Sequence, residues 1–393
     1  MINKIVVIGD IHFGIKETER IYTELKQFID FIKNNDIDII QLNGDYFDRT
    51  LNFAEPAGLY ALQFWSQLLD VCREKNIKLR SIEGTLSHDN FQTEALLEFI
   101  NYDDNGKPDV DFKYIKTVEV EDLNGMHILY CPEEYPMDAD EYYDKFKKDK
   151  YDLMFVHGMW DFTGLSAVAD HGRKDINSAP WFIYNEWKDA LEHGLCISGH
   201  YHGQMINKDE KVIYPGSFSA WNFDYDNNRG FCYIEFNTET KEYKYQLIQN
   251  EFAPKFVSLK VHDLPLGDPY NSPVEDLKLA IDAEIANADR FKLDLTGLNP
   301  NVAMILKRAY RNTKFVTMVD NNVKLINEAK NTSDTNDTNN VYSFVLENAL
   351  PMTQIIKRFI EIKFNKTITE EEIEACLNEE IDINKAIGDI DGK

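Results

Sequence analysis

The stretch KIVVIGDIH at residues 4–12 is a short apolar run that ends in a carboxylate and an imidazole. A second run, Ile37–Leu42, is followed by the segment NGDYFDR at residues 43–49, which contains two aspartates. Apolar runs of this length, bounded by glycine, are typical of strands buried on both faces. Between them, Glu17–Asn34 carries apolar residues at helical spacing. The order strand, helix, strand predicts a parallel sheet covered by a helix.

The same rhythm continues along the chain. Leu59–Arg73 has helical spacing, and Ile77–Ile82 is the next apolar run. The runs that follow are further predicted strands: Met126–Cys131, Leu153–Val156, Leu195–Ser198, Val212–Tyr214, Phe231–Phe236 and Tyr243–Ile248. The pattern predicts a layered α/β sandwich.

Composition changes after this region. Residues 253–326 have the pattern of a separate small α/β unit, with predicted strands at Phe256–Val261, Phe291–Leu295 and Phe315–Val319. A polar segment, NEAKNTSDTNDTNN, begins at Asn327 and predicts a flexible linker. The predicted organisation is therefore a main domain at 1–252, a small domain at 253–326, a linker at 327–344 and a helical hairpin at 345–393.

The whole-chain charge limits the classes of function. A formal net charge of −26 argues against strong autonomous binding of DNA, because lysine and arginine on phosphates drive that affinity. The sequence contains no apolar run long enough to predict a membrane span. The five cysteines are scattered and odd in number, and no signal-peptide pattern opens the chain, so we expect reduced thiols in a cytoplasmic protein.

Five short polar segments follow predicted strands. In an open α/β sheet, the carboxyl ends of the strands form the crevice where sites are built. Five of the nine histidines fall within these segments. The segments are Asp10-Ile11-His12, Gly44–Arg49, Ser87-His88-Asp89, His157-Gly158 and Gly199-His200-Tyr201-His202.

The residue types in these segments favour one kind of chemistry. Carboxylates together with neutral imidazoles suit Mn, Fe or Zn rather than Mg or Ca. One carboxylate can bridge two ions, and an ion pair can clamp the entering and leaving oxygens of a phosphate ester. A histidine that binds no metal could protonate the leaving alcohol. The sequence therefore predicts a site for two divalent metal ions, with Mn, Fe and Zn all suited to it.

These motifs, in this order, resemble the calcineurin-like metallophosphoesterase family. Within it, the GDYFDR stretch, Tyr214–Ser217 and Arg229-Gly230-Phe231 resemble the SbcD nuclease branch. The resemblance implies two sheets flanked by helices and a small cap domain over residues 253–326. It also implies a Mn-dependent DNA exonuclease and endonuclease that acts with an SbcC-like coiled-coil ATPase in DNA repair, recombination or replication.

The resemblance implies a role for each site residue. Asp10 and His12 would bind the first metal together with His202, and Asp45 would bridge the two ions. The second metal would be bound by His157 and His200. His88 and Asp89 would be the catalytic residues, with His88 as the acid that binds no metal.

The third motif departs from the family pattern. The family has Gly-Asn-His followed by Asp or Glu, with the Asn amide on the second metal. This chain has two more residues between Gly84 and His88, with Ser87 directly before the histidine. Ser87 is the predicted ligand in this position, and Thr85, Asp89, Asn90 or water remain alternatives.

Three functions stay open at this stage. The leading hypothesis is a nuclease whose substrate is DNA and whose residues 345–393 bind the ATPase. A phosphodiesterase or phosphatase for small or protein substrates is the second. A metal-poor scaffold without activity is the third. The sequence also leaves a homodimer open.

Overall fold

The computed structural model describes residues 1–136, 138–163, 181–221, 223, 228–311, 316–319, 369 and 373. The chain divides into two compact units, Met1–Ser258 together with Ile285–Phe291, and Leu259–Glu284 together with the residues from Lys292 onward. The predicted linker at 327–344 lies outside the described residues. The predicted tail at 345–393 also lies outside them, apart from Thr369 and Ile373. The predicted domain boundaries stay predictions.

Strands and helices alternate through most of the first unit. The strands are β1 (Ile2–Ile8), β2 (Ile39–Asn43), β3 (Lys78–Ile82), β4 (Phe112–Ile115), β5 (Glu119–Leu123), β6 (Met126–Cys131), β7 (Leu153–His157), β8 (Met159–Trp160), β9 (Trp181–Phe182), β10 (Leu195–Gly199), β11 (Met205–Ile206), β12 (Val212–Tyr214), β13 (Gly230–Asn237), β14 (Tyr243–Gln249), β15 (Phe256–Lys260), β16 (Arg290–Asp294) and β17 (Val316–Val319). The α-helices are α1 (Thr18–Asn34), α2 (Pro56–Lys75), α3 (Ala139–Asp144), α4 (Tyr184–Trp187), α5 (Val274–Ile285) and α6 (Pro300–Tyr310). Short 3₁₀ helices lie at Gln92–Phe99, Asp161–Thr163 and Val261–Asp263.

Two six-stranded sheets form the body of the first unit. The first has the order β14–β13–β1–β2–β3–β4, in which β1 to β4 are parallel and β13 runs antiparallel to β1. The second has the order β11–β12–β10–β7–β6–β5, in which β6, β7, β10 and β12 are parallel. The predicted β-α-β-α-β rhythm is confirmed.

The two sheets pack against each other and are covered by helices. Along β1, Ile5 and Val7 pack in the core shared with the second sheet, whereas Val6 and Ile8 pack in the core beneath α1 and α2. This alternation explains why an unbroken apolar run is needed, because both faces of the strand are buried. The outer face of the second sheet carries a third core that includes Trp160. The predicted layered α/β sandwich, two sheets flanked by helices, is confirmed.

Local sequence explains where the two long helices lie. The apolar stripe of α1, which includes Leu25 and Phe28, is buried. α2 begins with Pro56, whose fixed φ suits the first turn of a helix. It ends at Asn76, which adopts a left-handed conformation (φ 56°) and donates its backbone N–H to the Cys72 carbonyl.

A smaller sheet lies in the region where the sequence predicts the small α/β unit. Its strands have the order β15–β16–β17, and α5 and α6 lie between them in the sequence. All three strands match the predicted ones to within one residue at each end.

Two further predictions concern the cysteines and the membrane. Cys72, Cys131, Cys196 and Cys232 are buried free thiols, and Cys376 lies outside the described residues. Within the described part of the chain, no helix is both long enough and apolar enough to span a bilayer. The cytoplasmic location stays a prediction.

Candidate metal centre

The carboxyl ends of strands from both sheets converge on one site. Asp10 and His12 follow β1, Asp45 follows β2, and the loop Gly84–Asp89 follows β3. From the second sheet, His157 ends β7, and His200 and His202 follow β10. The site is therefore built where parallel strands of two facing sheets end and their loops meet, as expected for an open α/β sheet.

One group of possible ligands consists of Asp10, His12, Asp45 and His202, whose ligand atoms lie within 4.8 Å of one another. His12 Nε2 lies 3.1 Å from His202 Nε2 and 3.6 Å from Asp45 Oδ2. Burial lowers the pKa of His202 well below its usual value, and the neighbouring His12 adds to the effect. His202 is therefore neutral at pH 7 and offers a lone pair, as a metal ligand must.

The second group consists of Asp45, His157 and His200. His157 Nε2 lies 3.3 Å from Asp45 Oδ1, so Asp45 belongs to both groups. Burial raises the pKa of the Asp45 carboxyl, but His157 and His88 outweigh burial and hold the pKa well below its usual range. A charged carboxylate between the groups is the arrangement expected of a bridging ligand.

A buried ring nitrogen tests whether a cation fits this second group. His157 Nδ1 lies 2.8 Å from the carbonyl oxygen of Asn43, which can only accept, so Nδ1 carries the proton. Nε2 is buried and has no hydrogen-bond partner among the described residues. It faces carboxylate oxygens of Asp45 at 3.3 Å and Glu133 at 3.8 Å. A cation among these atoms would satisfy all three, so the residues fit a metal ion.

The backbone at the site is strained. Asp10, His12, Asp45 and His200 all have positive φ, at 50°, 56°, 51° and 82°. Each such residue costs about 1–2 kcal/mol relative to an extended or right-handed helical backbone. Strain concentrated on the residues that carry ligand atoms indicates that the fold holds these side chains in place for a function.

Asn43 and Gly44 explain how the two sheets approach so closely here. The Asn43 amide donates to the carbonyls of Val156 and Ile197, at 3.0 and 3.2 Å, and so joins β2 to the second sheet. A Cβ on Gly44 would lie 2.2 Å from His157 Nδ1. The glycine is therefore required by the close approach of β2 and β7.

His88 lies beside both groups and is partly exposed. Its Nδ1 lies 2.9 Å from Asp45 Oδ2, and its ligand atom lies within 4.8 Å of those of His12 and Asp48. The hydrogen bond to Asp45 raises the pKa of His88. The side chain is 31% exposed, so a substrate can reach it from solvent. This position suits the predicted proton donor, and that role stays a prediction.

The family model of the calcineurin-like phosphoesterases matches residues 3–204, slightly more than half of the chain. The chain belongs to this family. The matched region contains β1 from its second residue, β2 to β10, and every residue of the two ligand groups. The phosphoesterase is thus a metal-dependent hydrolase by family, with candidate metal ligands in place, and the predicted enzyme class is confirmed.

Solved structures of similar proteins have low identity to this phosphoesterase. GAP50, described as the anchor in the inner membrane complex of Plasmodium, is 18% identical with a TM-score of 0.39, over 64% of this chain and 85% of that one. TT1561 of Thermus thermophilus is 11% identical with a TM-score of 0.32, over 63% of this chain and 99% of that one. Vps29 from Entamoeba histolytica, complexed with Zn²⁺, is 13% identical with a TM-score of 0.24, over 63% and 99%. The family assignment rests on the matched family model.

The phosphoesterase has an unusual third motif, and the structure shows which of its residues faces the site. Ser87 is exposed. Thr85 instead places its hydroxyl oxygen 3.2 Å from Asp45 Oδ2 and 3.4 Å from His200 Nδ1. The geometry favours Thr85, one of the alternatives left open by the sequence, over Ser87. The extra residues form a bulge on the solvent side and leave the residue after Gly84 facing the ligands.

Asp89 has a different environment from the one its predicted catalytic role suggests. Its carboxylate is fully buried and accepts hydrogen bonds from the backbone N–H groups of Phe47, at 2.8 Å, and Gly84, at 2.9 Å. Burial and the nearby Asp45 and Glu83 raise its pKa well above the usual range. These contacts fasten the third-motif loop to the loop after β2, which is a positioning role.

Glu133 is a site residue that the sequence analysis missed. It follows β6, its side chain is 1% exposed, and its Oε2 lies 3.0 Å from His200 Nδ1. The signal used for the other segments, polar residues just past a strand end, applies to Glu133 and to its neighbour Glu134 alike. Glu133 was overlooked because no histidine accompanies it and no family motif covers it.

Two motifs that resemble the SbcD branch position the His202 segment. The Ser217 N–H donates to the His202 carbonyl at 3.1 Å, and the buried Arg229 guanidinium donates to the same carbonyl at 3.0 Å. Gly216 has a φ of 79°, and a Cβ there would lie 2.9 Å from that oxygen. The Pro-Gly-Ser and Arg-Gly-Phe motifs therefore hold a ligand-bearing loop.

Proposed function

We propose that this phosphoesterase hydrolyses phosphodiester bonds in DNA by a two-metal mechanism. The observation that carries the proposal is the pair of ligand groups that share Asp45, built from facing strand ends of two sheets. Oxygen and imidazole donors are mixed in both groups, which suits Mn, Fe or Zn, and the resemblance to the SbcD branch favours Mn among these. When bound there, two such ions would lower the pKa of an attacking water molecule and offset the negative charge on a phosphate ester.

The chain's own residues would contribute binding and proton transfer. Asp10, His12 and His202 would bind the first ion, and His157 and His200 the second, with Asp45 shared between them. His88 would give a proton to the leaving oxygen, because it lies at the edge of the ligand groups and is open to solvent. Asp89 would keep His88 in place by fixing the loop that carries it.

DNA as the substrate is supported by the resemblance of GDYFDR, Tyr214–Ser217 and Arg229-Gly230-Phe231 to the SbcD branch. The net charge of −26 does not favour a chain that binds DNA on its own. We therefore propose that an SbcC-like ATPase supplies the basic surface and binds residues 345–393. A role in DNA repair, recombination or replication and a homodimer stay proposals of the same kind.

A cavity beside the second group favours the alternative of a small substrate. It has a volume of about 650 Å³, and Glu133 lies on its wall. Glu83, Glu94 and Glu134 also line it, with Lys116 as the basic residue. This acidic lining disfavours a polyphosphate backbone but can accommodate a neutral group such as a nucleoside.

One assay distinguishes the candidates. Purified protein with Mn²⁺ is tested on single-stranded DNA, duplex DNA, a cyclic dinucleotide and a chromogenic phosphodiester, with the Asp45→Asn variant as the inactive control. We expect cleavage of DNA that chelator abolishes. Cleavage of the cyclic dinucleotide with intact DNA would support the small-substrate function. Activity on none of the four would contradict both.

A further inference from the structure

We propose that Glu133 is a direct ligand of the second metal ion, in the place of the amide that the family's third motif supplies. This inference rests on the metal pair of the proposed function and adds a ligand that no family motif contains. Its basis is the arrangement of Glu133 and Thr85 around His157 and His200.

The spacing of the atoms is that of ligands sharing one ion. Ligand atoms about 2.1 Å from an ion lie about 3.0 Å apart when adjacent and about 4.2 Å apart when opposite, in an octahedral arrangement. Glu133 Oε2 lies 3.0 Å from His200 Nδ1, 3.0 Å from Thr85 Oγ1 and 3.8 Å from His157 Nε2. The three distances from Glu133 Oε2 thus fall in the range expected for atoms that share one coordination sphere.

Two buried carboxylates, Asp45 and Glu133, lie close to the same groups. The Thr85 hydroxyl has one proton, and its oxygen lies 3.2 Å from Asp45 Oδ2 and 3.0 Å from Glu133 Oε2. His157 Nε2 lies 3.3 Å from Asp45 Oδ1 and 3.8 Å from Glu133 Oε2. Buried carboxylates are costly unless positive charge is shared among them. A metal cation at this position would supply that charge.

A carboxylate here changes the chemistry of the second position. The family's amide is neutral, whereas Glu133 adds a negative charge beside Asp45. The other Glu133 oxygen, Oε1, accepts a hydrogen bond from the Tyr135 hydroxyl, which orients the carboxylate toward the site. A neutral hydroxyl at Thr85 is a weak ligand, so the added carboxylate restores the affinity that loss of the amide removes.

The test compares Glu133→Ala, which removes the ligand oxygens, with a matched variant of its neighbour, Glu134→Ala. Glu134 accepts hydrogen bonds from the Val118 N–H and the Tyr142 hydroxyl, away from the two ligand groups. Binding of Mn²⁺ is measured by calorimetry and by the signal of free Mn²⁺ in electron paramagnetic resonance. We expect Glu133→Ala to weaken the second ion at least about tenfold and to leave the first unchanged. Glu134→Ala should bind both ions as the wild type does.

A crystal structure of the wild type loaded with Mn²⁺ is the second measurement. A Glu133 oxygen at about 2.0–2.2 Å from the ion supports direct ligation. Unchanged affinity in Glu133→Ala would overturn the proposal, and so would a second ion bound without Glu133 in its first coordination sphere. If the wild type binds fewer than two ions, the proposed two-metal function fails. If it binds two ions and Glu133→Ala has no effect, only this inference fails.

Discussion

Asp45 is the residue shared by the two ligand groups, and its carboxylate is almost fully buried. Asp45→Asn keeps the shape of the side chain and removes the charge that both ions need. We therefore expect loss of phosphodiester hydrolysis and reduced metal content at both positions. Elemental analysis of the purified variant measures this, and Asp36→Asn, at a highly exposed carboxylate, is the control. Full two-ion occupancy in Asp45→Asn would rule out a bridging role.

We expect His88 to donate a proton to the leaving oxygen and to bind no metal ion. We expect His88→Ala to lower turnover about 10²- to 10⁴-fold while metal content stays at the wild-type level. The loss of turnover in His88→Ala should be smaller with a chromogenic diester, because a good leaving group needs less protonation. His193→Ala, at an exposed histidine, is the control. Loss of a metal ion would instead make His88 a ligand, as its distance from His12 and Asp48 permits.

The third motif allows a comparison of two neighbouring positions. Thr85→Asn would place an amide where the Thr85 hydroxyl now faces Asp45 and His200, and we expect it to tighten binding of the second ion. Ser87→Asn, at the exposed position, should leave the Mn²⁺ titration unchanged. If the Mn²⁺ titration shifts in Ser87→Asn and not in Thr85→Asn, Ser87 is the ligand.

At the scale of the elements, the strands of the sandwich were predictable where they are apolar and buried. β1, β2 and β3 were recognised from their runs, because each is covered on both faces. β4 and β5 were missed, because their residues are mostly half-exposed and β5 contains three acidic residues. A polar edge strand has a local sequence like that of a loop, and only its pairing with β6 makes it a strand.

The same limit applies to the site. The histidine-containing segments could be found from the sequence, since strand ends are where such sites lie. The sequence could not show that Thr85 faces the site in place of Ser87, because this depends on how a lengthened loop folds over Asp45. Glu133 could not be ranked above other glutamates, because its closeness to His200 joins positions far apart in the chain.

His127, on β6, gives an element-scale prediction about stability. Burial lowers the pKa of His127, but ion pairs with Asp122 at 2.7 Å and Asp149 at 3.2 Å outweigh burial and raise it. A raised pKa in the folded state stabilises the protein below the unfolded-state pKa of about 6.5, and this contribution disappears as the pH rises through the folded-state pKa. Both aspartates are largely exposed, so the contribution is at most about 1 kcal/mol.

We expect His127→Gln to reduce the free energy of unfolding more at pH 5.5 than at pH 9. Denaturant unfolding at the two pH values measures the difference, and the stacking of His127 on Tyr151 contributes equally to both. Asp122→Asn should reduce the same pH dependence in part. An identical loss at both pH values would show that the ion pairs contribute nothing.

At the scale of the whole molecule, the charge and the tail point to a partner. The tail has two predicted apolar stripes, one with Ile355, Phe359 and Ile360 and the other with Ile373, Leu377 and Ile381. Ile373 is buried, and its N–H donates to the Thr369 carbonyl at 3.2 Å, as in a helical turn. The second stripe therefore contains a residue already covered within the chain. The first stripe is the one that we expect a partner to bind.

Phe359→Glu tests this expectation without removing the tail. Short amphipathic helices are marginal in water, so the first stripe needs an apolar surface, and a helix-in-groove contact with a coiled-coil ATPase provides one. A charge at its centre should abolish co-purification with the ATPase and leave metal-dependent cleavage of short single strands within about twofold of wild type. Lys357→Ala, on the opposite side of the predicted helix, should retain the partner. If Phe359→Glu instead lowers the unfolding midpoint and the intrinsic cleavage together, the stripe belongs to the protein's own core.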